Sequence, residues 1–342
     1  MPVSRAAPNL LAITLALVAV ACGGKKRTPP PPPPAIDAGM EVGPVVHDLG
    51  ARPPALDEPH PPMPKEVRAT LLEPGAAPRA VRRYALTAGP ERTLTVRAEV
   101  TIHRFQLGAW TGPTALPAVT DGFAYVVTPT ATGATLALRG LPGAVAADAP
   151  ATAAATDELT ARWRALLERR RVTAALDASG RLADARFEDD PGATRPDVEL
   201  ATDELHQRLL AAMVPWPAEP IGVGARWRVI TLLRIGGAYV KQTATYQLTA
   251  LEGARATIAV DLTRLAERQL LALDGLPAGA EAELIGLVRT QVGTVTVDLG
   301  APLPVAGRFE TTLSSHAQFR AGTAPPLDEV ADDRAVLTLT GG

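Results

Sequence analysis

The run Arg92-Thr-Leu-Thr-Val-Arg-Ala-Glu-Val-Thr-Ile-His103 alternates apolar and polar residues without a break. Successive side chains of a β-strand point to opposite faces, so Leu94, Val96, Ala98, Val100 and Ile102 share one face and the threonines and charges the other. A helix would scatter these residues around its circumference. The stretch therefore predicts a half-buried strand, and the same texture recurs downstream. Phe123–Thr128 and Ala134–Arg139 form a predicted hairpin, as do Arg171–Asp177 and Arg181–Glu188 around Ala178-Ser179-Gly180. Longer runs follow at Arg226–Ile235, Ala238–Leu251, Arg255–Leu265, Leu287–Leu299, Arg308–Phe319 and Arg334–Thr340. Gly236-Gly237, Glu252-Gly253, Pro302–Gly307 and Gly322–Pro326 punctuate them as turns. Strands of this length joined by tight turns, each with one consistently apolar face, specify antiparallel sheet.

Two segments carry a different period. Thr156–Arg169 starts with Asp157-Glu158 and runs into Arg169-Arg170-Arg171, charges that complement a helix dipole, and Leu159, Trp163, Leu166 and Leu167 form its apolar stripe. Asp197–Met213 is entered through Pro196 and stopped before Pro215. The expected class is therefore α+β and predominantly antiparallel β. It takes the form of long strands in one curved sheet, or of two β-rich lobes, with two central helices. The β-rich domain spans 67–342, with lobes at about 67–170 and 171–342 if it divides. Trp227, at the start of a long strand, is the expected core anchor.

The amino terminus has another character. Met-Pro-Val-Ser-Arg5 precedes an apolar run of 12 residues, Leu10–Ala21, and Cys22-Gly23-Gly24 follows. At 1.5 Å per residue the run makes about 18 Å of helix, short of the roughly 30 Å of a hydrocarbon core. Residues 1–21 thus form a predicted secretory signal peptide. Cys22 is the single cysteine of the chain. Ala19-Val20-Ala21-Cys22 resembles the lipobox of bacterial lipoproteins, with Ala19 where that motif usually has Leu. The resemblance implies that the Cys22 thiol receives a diacylglycerol and becomes the new amino terminus. It also implies a lipid-anchored protein of the cell envelope, with the membrane as its partner through that lipid. Gly23 in the following position implies outer-membrane retention, on the periplasmic face or the surface. Residues 22–66 read as a proline-rich linker: Pro29–Pro34 is an unbroken run, and six further prolines follow by Pro62. In polyproline II, at about 3.1 Å per residue, such a tether holds a domain well clear of a membrane.

Composition excludes several functions. Thirty-four basic residues against 36 acidic ones leave a net charge of −2, without the basic excess of a nucleic-acid binder. Aromatics at 4% are too sparse for stacking platforms. The histidines, His47, His60, His103, His206 and His316, fall in no metal-ligand spacing, and no metal or cofactor is expected. The acidic clusters Asp189-Asp190, Asp328-Glu329 and Asp332-Asp333 lack the order of a calcium loop and read as turns beside prolines. Ser315 and His316 are adjacent on a predicted strand, so they face opposite sides and cannot share a proton. No nucleophile elbow, phosphate loop or dinucleotide fingerprint is present, and no catalytic residue is expected.

Pro215–Trp227, with Gly224 and Trp227, resembles a strand-entry motif of uncharacterised bacterial envelope lipoproteins, and Asp298–Val305 has a similar flavour. That resemblance covers residues 171–342 and implies no activity. The expected function is non-catalytic binding or scaffolding of another envelope component. The alternative is a periplasmic carrier or chaperone of hydrophobic ligands such as lipids or lipoproteins. A hydrolase with an unrecognised site is the third class. An apolar ligand or a protein surface is expected rather than phosphate, metal or nucleic acid.

Overall fold

The computed structural model describes residues 69–106, 108–116, 118–145, 171–188, 213–235, 237–271, 279–322 and 325–342. They form 14 strands: β1 (Ala69–Glu73), β2 (Arg92–Gln106), β3 (Ala109–Ala115), β4 (Val119–Thr130), β5 (Gly133–Val145), β6 (Arg171–Leu176), β7 (Leu182–Glu188), β8 (Arg226–Ile235), β9 (Ala238–Glu252), β10 (Arg255–Ala266), β11 (Gln269–Leu270), β12 (Ala280–Asp298), β13 (Ala306–Ala321) and β14 (Leu327–Gly341). All belong to one antiparallel sheet in the order β1-β8-β9-β10-β12-β13-β14-β2-β4-β5-β6-β7, with β11 on β12 and β3 on β2. Strands on the two sides of residue 170 are joined directly, since β5 pairs β6.

The topology is two meanders in series. Strands β2 to β7 and β8 to β14 each pair largely with their sequence neighbours. One long-range pairing, β14 with β2, joins the meanders, while β1 adds to the outer edge of the second by pairing with β8. Among the described residues nothing pairs β1 with β7, so the sheet is open. It curves strongly enough that Leu136 of β5 and Val172 of β6 share one core cluster with Trp227 of β8 and Ile258 of β10.

Local chemistry explains the hairpins. Glu252 pairs with Arg255 across Gly253-Ala254, and Gly253 has φ of 61°, the left-handed conformation that a two-residue loop needs. Alternation in β2 is realised as expected, with Leu94, Val96, Ala98 and Val100 buried. The segments 74–90 and 213–225 close one end of the sheet. Tyr84 N–H donates to the Ala178 carbonyl, Trp216 N–H to Ser179, and Ala85 N–H to Leu299. Gly222 is required there: a Cβ would collide with the Ala76 carbonyl oxygen. Inside this end Trp227 is fully buried and donates its indole N–H to the Pro215 carbonyl at 2.7 Å. Its ring stacks on Tyr246, centroids 5.6 Å apart, and lies 5.5 Å from Trp216. Burial pushes the Tyr84 and Tyr246 hydroxyls well above their ordinary range of ionisation.

Among the described residues there is no helix. The helix expected at Thr156–Arg169 lies outside them, as does the one from Asp197 up to residue 212. Met213 is described, buried and non-helical, two residues before Pro215. One further expectation is corrected. Asp328-Glu329 and Asp332-Asp333 are not turns but part of β14. Carboxylates are tolerated in this strand because partners await them: His316 and Gln318 for Asp328, Gln106 for Glu329, and Arg104 for Asp333. Asp189-Asp190 lies outside the described residues.

Candidate functional site

Register places an unexpected set of residues on the buried face. Gln242, Arg264, Arg289, Leu313 and Asp333 lie side by side across β9, β10, β12, β13 and β14. The row on one side reads Ala244, Leu262, Gln291, Thr311 and Ala335. The row on the other side reads Ala266, Leu287, Ser315, Ala331 and then Arg104 on β2. With strands about 4.8 Å apart and same-face rows about 6.7 Å apart, this is a polar belt roughly 13 Å tall.

The belt separates two apolar regions of the same face. On one side lies the aromatic cluster around Trp227, Tyr246, Phe123 and Phe309. On the other lies a cluster of Leu233, Ile235, Ala238, Val240, Ala266, Leu271, Ala282 and Leu284. The buried face is therefore not consistently apolar, contrary to what strand alternation suggests. Within the belt the guanidinium of Arg104 donates to Asp333 at 3.0 Å and lies 4.0 Å from Glu329. Asp333 also accepts the His103 backbone N–H at 3.2 Å. Arg264 Nε donates to Gln242 Oε1 at 2.8 Å. Among the described residues of the belt, four polar atoms have no hydrogen-bond partner: Arg104 Nε, Gln291 Nε2, Thr311 Oγ1 and Ser315 Oγ. Leaving a buried donor unmade costs about 1–3 kcal/mol, so such a concentration marks the belt as the most unusual feature of the core.

The opposite face offers less. His103 and Phe105 of β2 pack on the half-exposed Trp110 of β3, with centroids 4.4 and 5.7 Å apart. His316 Nε2 sits 2.9 Å from Asp328, and this hydrogen bond, aided by Gln318, holds the Asp328 carboxyl below the usual range. A depression of about 690 Å³ is lined by Arg97, Glu99, Glu310 and Arg334, and also by Val100, Thr311 and Ala335, so it is not confined to this face. Its charges are of both signs, and Arg97 and Glu99 pair with each other at 3.1 Å. Ser315 is buried in the belt while His316 faces away from it, so the two are indeed on opposite faces. Among the described residues no three His, Cys, Asp or Glu side chains are placed to share a metal ion.

Cys22, the one site residue expected from sequence, lies outside the described residues, as do His47, His60 and His206. The belt was missed because each strand breaks its alternation only once or twice: Gln242 in β9, Arg264 in β10, Gln291 in β12, Thr311 and Ser315 in β13, Asp333 in β14, Arg104 in β2. A single polar residue at an apolar position is unremarkable. Only the pairing register reveals that the breaks fall at one height. No protein-family model matches the chain, and none of the curated proteins compared with it matches either.

Proposed function

We propose that this chain is a non-catalytic binding protein of the bacterial cell envelope. In this reading Cys22 carries a lipid, residues 22–66 are the tether, and the buried face of the curved sheet is the recognition surface. The observation that carries the binding role is the belt: hydrogen-bonding groups gathered on an otherwise apolar face, where their burial is costly unless something uses them. Among the described residues neither hydroxyl, Thr311 nor Ser315, is hydrogen-bonded to a base, and the described imidazoles, His103 and His316, belong to the other face. Recognition rather than bond cleavage is what such a surface supports. A carrier of hydrophobic ligands is the second reading, favoured by the apolar clusters that flank the belt on both sides.

The anchor is tested by growth with labelled palmitate. Wild-type protein takes up label and sediments with membranes, whereas Cys22→Ser does neither. Label in both forms, or a wild-type protein that stays soluble, overturns the anchored reading. The binding role is tested separately by cross-linking in intact cells and by native mass spectrometry of the extracted protein. Neither a cross-linked partner nor a bound molecule in any preparation overturns it.

A further inference from the structure

We infer that the face opposite the belt binds an uncharged oligosaccharide, one sugar ring stacked on Trp110 and the next ones hydrogen-bonded in the depression beside β14. This surface is separate from the buried face proposed above as the recognition surface, and the two stand or fall independently. Among the described residues Trp110 is the one large aromatic left half in water, at 51% exposure. Its ring is held in place: His103 and Phe105 pack against it, with centroids 4.4 and 5.7 Å away, and Phe105 is also its partner in the β2–β3 register. A fixed, exposed indole offers a flat face whose negative quadrupole attracts the polarised C–H bonds on the apolar side of a sugar ring. The low aromatic content of the chain, 4%, does not count against this, since a single ring placed in water is enough.

Register carries the surface on from the indole. Trp110, Phe105, Val330 and His316 form one row across β3, β2, β14 and β13. Two same-face steps along β2, about 13 Å away, the row reads Ala115, Thr101, Arg334 and Thr312. One step further it reads Glu99, Val336 and Glu310. These last two rows line the depression of about 690 Å³, a volume within the roughly 300–1,000 Å³ of small-molecule sites, and Leu116 after β3 bounds it. Its charges cancel, Arg97 and Arg334 against Glu99 and Glu310, so it favours neither a polyanion nor a polycation. Asp332, Arg334 and Glu310 are exposed and make no ion pair with any described residue. Carboxylates that accept, a guanidinium that donates and threonine hydroxyls that do both therefore interleave row by row. Sugar hydroxyls also do both, so an uncharged, hydroxyl-rich chain can satisfy each group in turn. An alkyl chain laid here would strip water from the charges and return no hydrogen bond.

The test is calorimetric titration of the full chain carrying Cys22→Ser, which keeps it in solution. The uncharged probes are the hexasaccharides of α-1,4-glucose, β-1,4-glucose and β-1,4-N-acetylglucosamine, each beside its own disaccharide. A sulfated hexasaccharide and a hexaarginine peptide are the charged controls. At least one uncharged hexasaccharide binds at one equivalent, tenfold or more tighter than its disaccharide and than either control. Trp110→Ala weakens that binding at least tenfold, Trp110→Phe weakens it less because a ring remains, and Arg334→Ala weakens it with the melting temperature unchanged. If Trp110→Ala fails to fold, Trp110→Phe and Arg334→Ala carry the comparison. Binding of none of the three hexasaccharides, tighter binding of a charged control, or an unchanged affinity in the folded variants overturns the inference. Preference for hexaarginine would instead make this face a docking surface for a basic protein segment.

Discussion

Trp227 shows how one side chain organises the closed end of the sheet. It is fully buried, its indole N–H is satisfied by Pro215, and its ring lies against Tyr246 and Trp216. Trp227→Ala removes the ring and leaves a cavity between elements held from both sides, so the expected loss is about 3–5 kcal/mol by denaturant unfolding. A loss under about 1 kcal/mol would mean that the neighbours close over the gap. Asp328 gives a residue-scale prediction in pH. Its hydrogen bond from His316 depresses its folded-state ionisation below the unfolded value. The carboxylate's contribution to stability is therefore present above the ordinary aspartate range near 3.9 and is lost as pH falls through the lower, folded value. His316→Ala should raise the Asp328 ionisation toward the ordinary range, measured by carboxyl carbon chemical shifts. No movement would assign the depression to Gln318 alone.

At the scale of elements, legibility follows the number of alternations a strand displays. Strands β8, β9, β10 and β13 run long enough for period two to be plain, and their sequence boundaries fall within two residues of the observed ones. β1 and β3 were not legible. Ala109–Ala115 is exposed along its whole length and contains Gly112 and Pro113, residues that mark turns in sequence and that protect an edge strand in a sheet. The first half of β14 was hidden differently, because its carboxylates have cross-strand partners that no local reading can supply. The belt is the extreme case. Its members come from six strands, and what unites them is register, a property of pairs rather than of any one segment. Composition misled in the same way: a net charge of −2 says nothing about how charge is sorted between two faces.

At the scale of the molecule, the decisive feature is that β14 joins the two meanders. It pairs with β13 on one side and β2 on the other, and the Arg104–Asp333 hydrogen bond across the β2 contact spans 229 residues of sequence. Contacts so distant form late and slowly, which places folding in the millisecond-to-second regime of non-local β proteins. A chain ending at Pro326 loses this strand. It leaves β13 and β2, two of the longest strands, with unpaired edges, and it exposes the apolar residues that β14 covered. Such a chain should self-associate on size exclusion and lose cooperative melting, whereas one beginning at Lys65 keeps every described strand and should melt like the full protein. Were the meanders independent lobes, the loss of β14 would spare the first of them. Circular dichroism would then show a surviving cooperative transition from β2 to β7. A single sheet predicts none, because the cluster around Trp227 draws on both meanders and neither can bury it alone.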